Sequence, residues 1–148
     1  MKRTVISAAV LSLAVAGSGV SLAGTTDGQG AQKRGLFASD ESNGACTASG
    51  NASPGSPNGF VILNAPGKPG DTSNILGEVS LKRAPGKYTV ELSYNGSACA
   101  AVGAFTTNDQ GNGNFHIATP GTGGSYFVVL RNVRDGAQSF ATAPATVN

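Results

Sequence analysis

The sequence predicts an all-β protein: an antiparallel sandwich of about seven to eight short strands, preceded by a flexible N-terminal arm. Three observations carry this. Glycine fills 22 of the 148 positions, about twice the usual 7% or so, as in a chain with many tight turns. The helix formers Glu, Gln, Leu and Lys never cluster beyond residue 24. Apolar alternations of period two recur instead, separated by turn signals about every 8 to 12 residues, the spacing of sandwiches and barrels.

The chain opens with Lys2 and Arg3, then an uncharged apolar run from Val5 to Ala16, then Ser21-Leu22-Ala23. Positive, apolar, then small is the grammar of a secretory signal peptide over residues 1–23, cleaved between Ala23 and Gly24. The run is too short to span a bilayer, which takes about 20 apolar residues. The mature protein is therefore expected to be secreted and extracellular. No membrane anchor is expected: Thr25 stands where a lipidated cysteine would be, and the C-terminus has no apolar tail. Residues 24–58 are dominated by Gly, Ser, Thr, Asn, Asp and Gln. They read as the flexible arm, with Leu36-Phe37-Ala38 as a candidate edge strand. Residues 59–148 read as the folded domain.

Within that domain, Phe60-Val-Ile-Leu63 is a short apolar strand ended by the turn Asn64-Ala-Pro-Gly67. Ile75, Gly77, Val79 and Leu81 then mark one face of a second strand. Past the turn Ala84-Pro85-Gly86, residues Tyr88, Val90, Leu92 and Tyr94 form the clearest half-buried strand. Asn95-Gly96 is a strong hairpin signal, because both turn positions need φ > 0. Cys99 to Thr106 makes a strand of small residues that reaches Phe105, and Asn108 to Gly113 is a turn. Phe115 and Ile117 oppose His116 on the next strand. Tyr126-Phe-Val-Val-Leu130 is apolar on both faces, hence a buried central strand, with Arg131 and Arg134 closing it as gatekeeper charges. Ser139-Phe140-Ala141 and Ala145-Thr-Val147 supply the last strands. The motifs Asn51-Ala-Ser53 and Asn95-Gly-Ser97 match the N-glycosylation pattern.

Two of these stretches carry a resemblance. Leu81-Lys-Arg-Ala-Pro85-Gly86-Lys-Tyr88-Thr-Val90 resembles the Leu…Pro-Gly-x-Tyr-x-Val stretch of fibronectin type III and immunoglobulin-like domains, where the tyrosine closes a corner between sheets. Val102 to Phe115 is similar to a pattern found in secreted bacterial β-sandwich modules. The resemblance implies an immunoglobulin-like sandwich. It implies no particular chemistry, since such modules share no common activity.

Charge narrows the partners. Lys2 and Arg3 account for the whole net charge of +2, leaving a mature chain with eight anions and as many cations. A neutral, mixed surface lacks the clustered positive charge that nucleic acid or anionic lipid requires. The two cysteines, Cys46 and Cys99, both lie in the exported part and are expected to form a disulfide.

Catalytic chemistry is poorly supplied. His116 is the sole histidine and falls on the polar phase of its strand, and no nucleophile elbow accompanies it. No metal ligand set and no cofactor motif is present; Asn108 to Gly113 offers one carboxylate, Asp109, too few for a calcium loop. Tyr88, Tyr94, Phe105 and Phe115 fall on apolar faces and read as core. The expectation is a small non-enzymatic binding or structural module whose partner is an extracellular protein or surface polymer. The alternative is a secreted hydrolase inhibitor presenting Asn64 to Gly70 or Thr119 to Ser125.

Overall fold

The computed structural model describes residues 30–50, 55–65 and 73–147. The expected signal peptide with its Ala23–Gly24 junction and the Asn51 motif lie outside these residues, as does most of the 64–70 loop. Among the described residues nine antiparallel strands form the fold: β1 (Gln32–Asn43), β2 (Gly59–Asn64), β3 (Ser73–Leu81), β4 (Lys87–Tyr94), β5 (Ala100–Thr106), β6 (Gly113–Gly121), β7 (Gly124–Asn132), β8 (Ala137–Thr142) and β9 (Ala145–Val147). They pair in the order β5-β4-β7-β8-β1-β2-β3-β6, with β9 continuing along β7 beyond β8. The sheet curls until β5 and β6 touch without a hydrogen-bonded ladder between them, so the barrel is nearly closed.

The stretch expected as a flexible arm contains the longest strand. β1 pairs with β2 through Gln32 to Gly35, then with β8 from Leu36 to Asn43, crossing two register shifts on the way. It is an interior strand, not an edge, and the sheet begins at Gln32 rather than at residue 59. Two causes hid it. The change of partner and the bulges break the alternation that marks a strand, and among its described side chains only Leu36, fully buried, joins the core.

The remaining strands lie where the alternation puts them. Ile75, Val79 and Leu81 of β3, Tyr88, Val90 and Leu92 of β4, and Tyr126, Val128 and Leu130 of β7 meet in one core. The Asn95-Gly96 turn has φ of 47° and 74°, closed by the Ser97 N–H on the Tyr94 carbonyl at 2.9 Å. Among the described residues no helix is long and apolar enough to cross a membrane.

β7 is buried on both faces, as its sequence requires. Its outward Phe127 and Val129 form a second small cluster with Ala141, packed against Cys46, Ala48 and Cys99. The Cys46–Cys99 disulfide, with Cα atoms 5.6 Å apart, ties residues 44–50 across this face as a strap. Gln138, 1% exposed, fixes the strap from beneath. Its amide accepts from the Thr47 N–H at 3.0 Å and donates to the Thr47 carbonyl at 2.8 Å and the Ser39 hydroxyl at 2.9 Å.

Candidate functional site

The unpaired seam between β5 and β6 is the feature that strand pairing leaves unfinished. At one end aromatic rings close it. Phe105 of β5 and Phe115 of β6 stack with centroids 6.2 Å apart, and Tyr88 and Phe140 continue the row at 6.0 and 5.9 Å spacings. Gly103 is required there, since a Cβ would lie 2.3 Å from the Phe115 ring.

At the other end the strands diverge and leave a cleft of about 420 Å³. Leu92 and Tyr94 of β4, Ala100 and Val102 of β5, Thr119 to Gly121 of β6 and Tyr126 of β7 line it. The walls are mainly apolar and carry no formal charge. Tyr94 and Tyr126 stand side by side with ring centroids 5.1 Å apart. The Tyr126 hydroxyl donates to the Thr122 carbonyl at 2.7 Å, while the Tyr94 hydroxyl accepts from Thr122 Oγ1 at 3.4 Å. Burial pushes the Tyr126 hydroxyl above its ordinary pKa, partly offset by its bond to the Thr122 backbone. One phenol proton is thus engaged inside the protein. The Tyr94 proton remains free to be given to a guest.

The glycine-rich link between β6 and β7 makes this arrangement possible. A Cβ on Gly124 would sit 2.4 Å from the Tyr94 ring, and one on Gly121 would sit 2.5 Å from Ile75 and 3.0 Å from the Tyr126 hydroxyl. Both glycines are seats for neighbouring side chains.

Compared with known protein families, curated proteins and solved structures, the chain matches none. Its site must be argued from geometry alone.

The residues singled out in the sequence are dispersed. His116 is exposed on the outer face of β6, directly opposite Glu78 of β3. Among the described residues, no three His, Cys, Asp or Glu side chains converge on a point that could hold a metal ion. Asn108 closes a turn on itself: its side-chain oxygen accepts from the backbone N–H groups of Gln110 at 3.1 Å and Asn112 at 2.9 Å. That turn carries the chain from β5 to β6 across the seam rather than forming a paired hairpin. Thr119 to Ser125 is not a protruding loop, since β6 and β7 absorb all of it but Thr122-Gly123.

Tyr94 departs from expectation. The alternation of β4 puts it in the core, yet it is 40% exposed. It ends β4 just where β5 swings away, so its inward face opens on the cleft. The signal that could have found it is the cluster Gly121-Thr-Gly-Gly124 before Tyr126, because glycines beside aromatic residues in strands mark close approaches.

Proposed function

We propose that this chain is a small secreted, non-enzymatic β-sandwich protein of immunoglobulin-like kind, acting as an extracellular binding module through the β5–β6 cleft. The ligand that suits it is small, uncharged and mainly apolar, with one hydrogen-bond acceptor. The composition of the cleft carries this reading. Its volume of about 420 Å³ falls within the range of roughly 300–1,000 Å³ typical of small-molecule sites. A charged guest would lose its hydration shell with no counter-charge among the lining residues to replace it. A planar apolar guest would lie along Leu92, Val102 and Tyr126 and accept the free Tyr94 proton.

Other observations support the remaining parts. The Tyr88 hydroxyl donates back to the Ala84 carbonyl at 3.3 Å, the kind of bond that closes a tyrosine corner. The signal grammar of residues 1–23 and the Cys46–Cys99 bridge support export to an oxidising compartment.

The test uses protein recovered from culture supernatant, whose mass should begin at Gly24. Nile red, a neutral planar fluorophore with a carbonyl acceptor, serves as the probe. The expected result is saturable binding with a dissociation constant on the order of 10 µM, weakened about tenfold by Tyr94→Ala and abolished by Val102→Arg. Dye binding that ignores Val102→Arg would remove the cleft from the proposal, and a mass beginning at Met1 would remove the cleaved signal peptide.

A further inference from the structure

We infer that the outer face of the β1–β2–β3–β6 half of the sheet is the contact surface of a two-fold homodimer. This surface lies apart from the cleft and does not depend on what the cleft binds.

The strand register puts the relevant residues on one face. Lys33, Ile62, Glu78 and His116 are direct cross-strand partners on β1, β2, β3 and β6, so their side chains emerge on the same side of the sheet. That side is the outer one, because the alternate residues Val61, Leu63 and Val79 are buried in the core. The neighbouring rows add Phe60, half-buried with the Lys33 ammonium 4.1 Å from its ring centre, and Leu76, 39% exposed. The opposite half of the barrel has its outer apolar residues covered by the Cys46 strap. Here Phe60, Ile62 and Leu76 keep part of their apolar surface exposed.

The charges say what covers them. Lys33 and Glu78 sit one strand to either side of Ile62, each about 4.8 Å away across the sheet. Neither has an ion-pair partner among the described residues, whose one salt bridge is Arg131–Glu91. A two-fold axis along β2 exchanges the two flanks. It stacks Ile62 on Ile62 and Phe60 on Phe60, and brings Lys33 of each copy over Glu78 of the other. Two sheets stacked face to face lie about 10 Å apart and cross at roughly 30°, a separation these side chains span. The in-plane axis through the same row, perpendicular to the strands, would set Lys33 on Lys33 and Glu78 on Glu78, and like charges oppose it. The face is therefore complementary to itself in one orientation, which is what an isologous contact requires.

The test is sedimentation equilibrium on the mature protein up to about 0.5 mM, with the dissociation constant read directly. A monomer–dimer equilibrium that weakens with added salt is expected. Lys33→Glu and Glu78→Lys should each weaken it at least tenfold, by placing like charges face to face, while the double reversal restores it to within about threefold. Both positions are on the surface, and an unchanged melting temperature verifies each variant's fold. Ile62→Arg should leave a monomer at every concentration. A wild-type protein that stays monomeric throughout overturns the inference. So does a dimer indifferent to the single charge reversals.

Discussion

Arg131 projects from the outer face of β7 and grips the Glu91 carboxylate of β4 with two hydrogen bonds, Nε to Oε1 at 2.9 Å and Nη2 to Oε2 at 2.7 Å. The same guanidinium donates to the Gly136 carbonyl at 3.0 Å and the Ala45 carbonyl at 2.7 Å, joining two strands, a turn and the strap. Its bond to Glu91 holds the guanidinium above its ordinary pKa against the opposing effect of burial. The two side chains are only 14% and 13% exposed, so removing one leaves the other desolvated and unpaired. Arg131→Met is expected to cost about 3 kcal/mol, read from the urea midpoint at unchanged slope. Arg131→Lys should recover only a minor part, because a point charge cannot reproduce the fork. A loss nearly as large in the lysine variant would fit; full rescue by lysine would contradict the geometry. In the sequence Arg131 looks like a gatekeeper beside an apolar strand. Two of its three partners, Glu91 and Ala45, lie 40 and 86 residues away, and nothing local reveals them.

Among the elements, the regular strands were legible and the strap was not. β3, β4 and β7 show their burial as alternation or as an unbroken apolar run, because each is paired on both sides over most of its length, β3 and β4 with a single partner on each side and β7 with β4 on one side and β9 then β8 on the other. Residues 44–50 contain no alternation at all. They hold to the barrel through Cys46, Gln138 and Arg131, contacts of long sequence separation that only the fold creates. The cysteine pair was the one readable sign that this segment is tied down. In the chain-entropy account, closing a loop across a sequence separation of 53 stabilises the fold by about 4 kcal/mol. The Cys46→Ser/Cys99→Ser variant should lose about that much in chemical unfolding. The loss should not be spread evenly. Gln138 and Arg131 still hold the strap in the native state, yet Phe127 and Val129 depend on it for cover. Hydrogen exchange is therefore expected to quicken at Thr47 and Ser49 well before the ladder between β4 and β7, and an apolar dye should bind the variant more strongly. Equal acceleration across β7 would mean that the strap is integral to the sheet.

For the whole molecule, closure decides the architecture, and closure was the least legible property. Strand lengths and turns fit an open sandwich and a barrel equally well. The difference lies in β1 switching from β2 to β8, and in β5 meeting β6 through rings rather than a ladder. Those rings place Tyr88 at the sealed end of the seam and Tyr126 at the open end, each 4% exposed. Burial pushes both hydroxyls above the ordinary tyrosine value of 10.0. The consequence for stability has a definite sign. Above pH 10 the unfolded chain sheds these protons first, so it binds fewer than the native state and stability falls as pH rises. The contribution is fully present below pH 10 and is lost as pH climbs through the raised native values. An ultraviolet absorbance titration should accordingly resolve two tyrosines that ionise late, together with a folded state that weakens over the same window. Tyr88→Phe removes one of these groups. It should lower stability at neutral pH by about 1 kcal/mol, through the lost bond to Ala84, yet flatten the alkaline decline. If Tyr88 and Tyr126 instead titrate at the ordinary value while the protein remains folded, water reaches both ends of the seam and the barrel is more open than its packing implies.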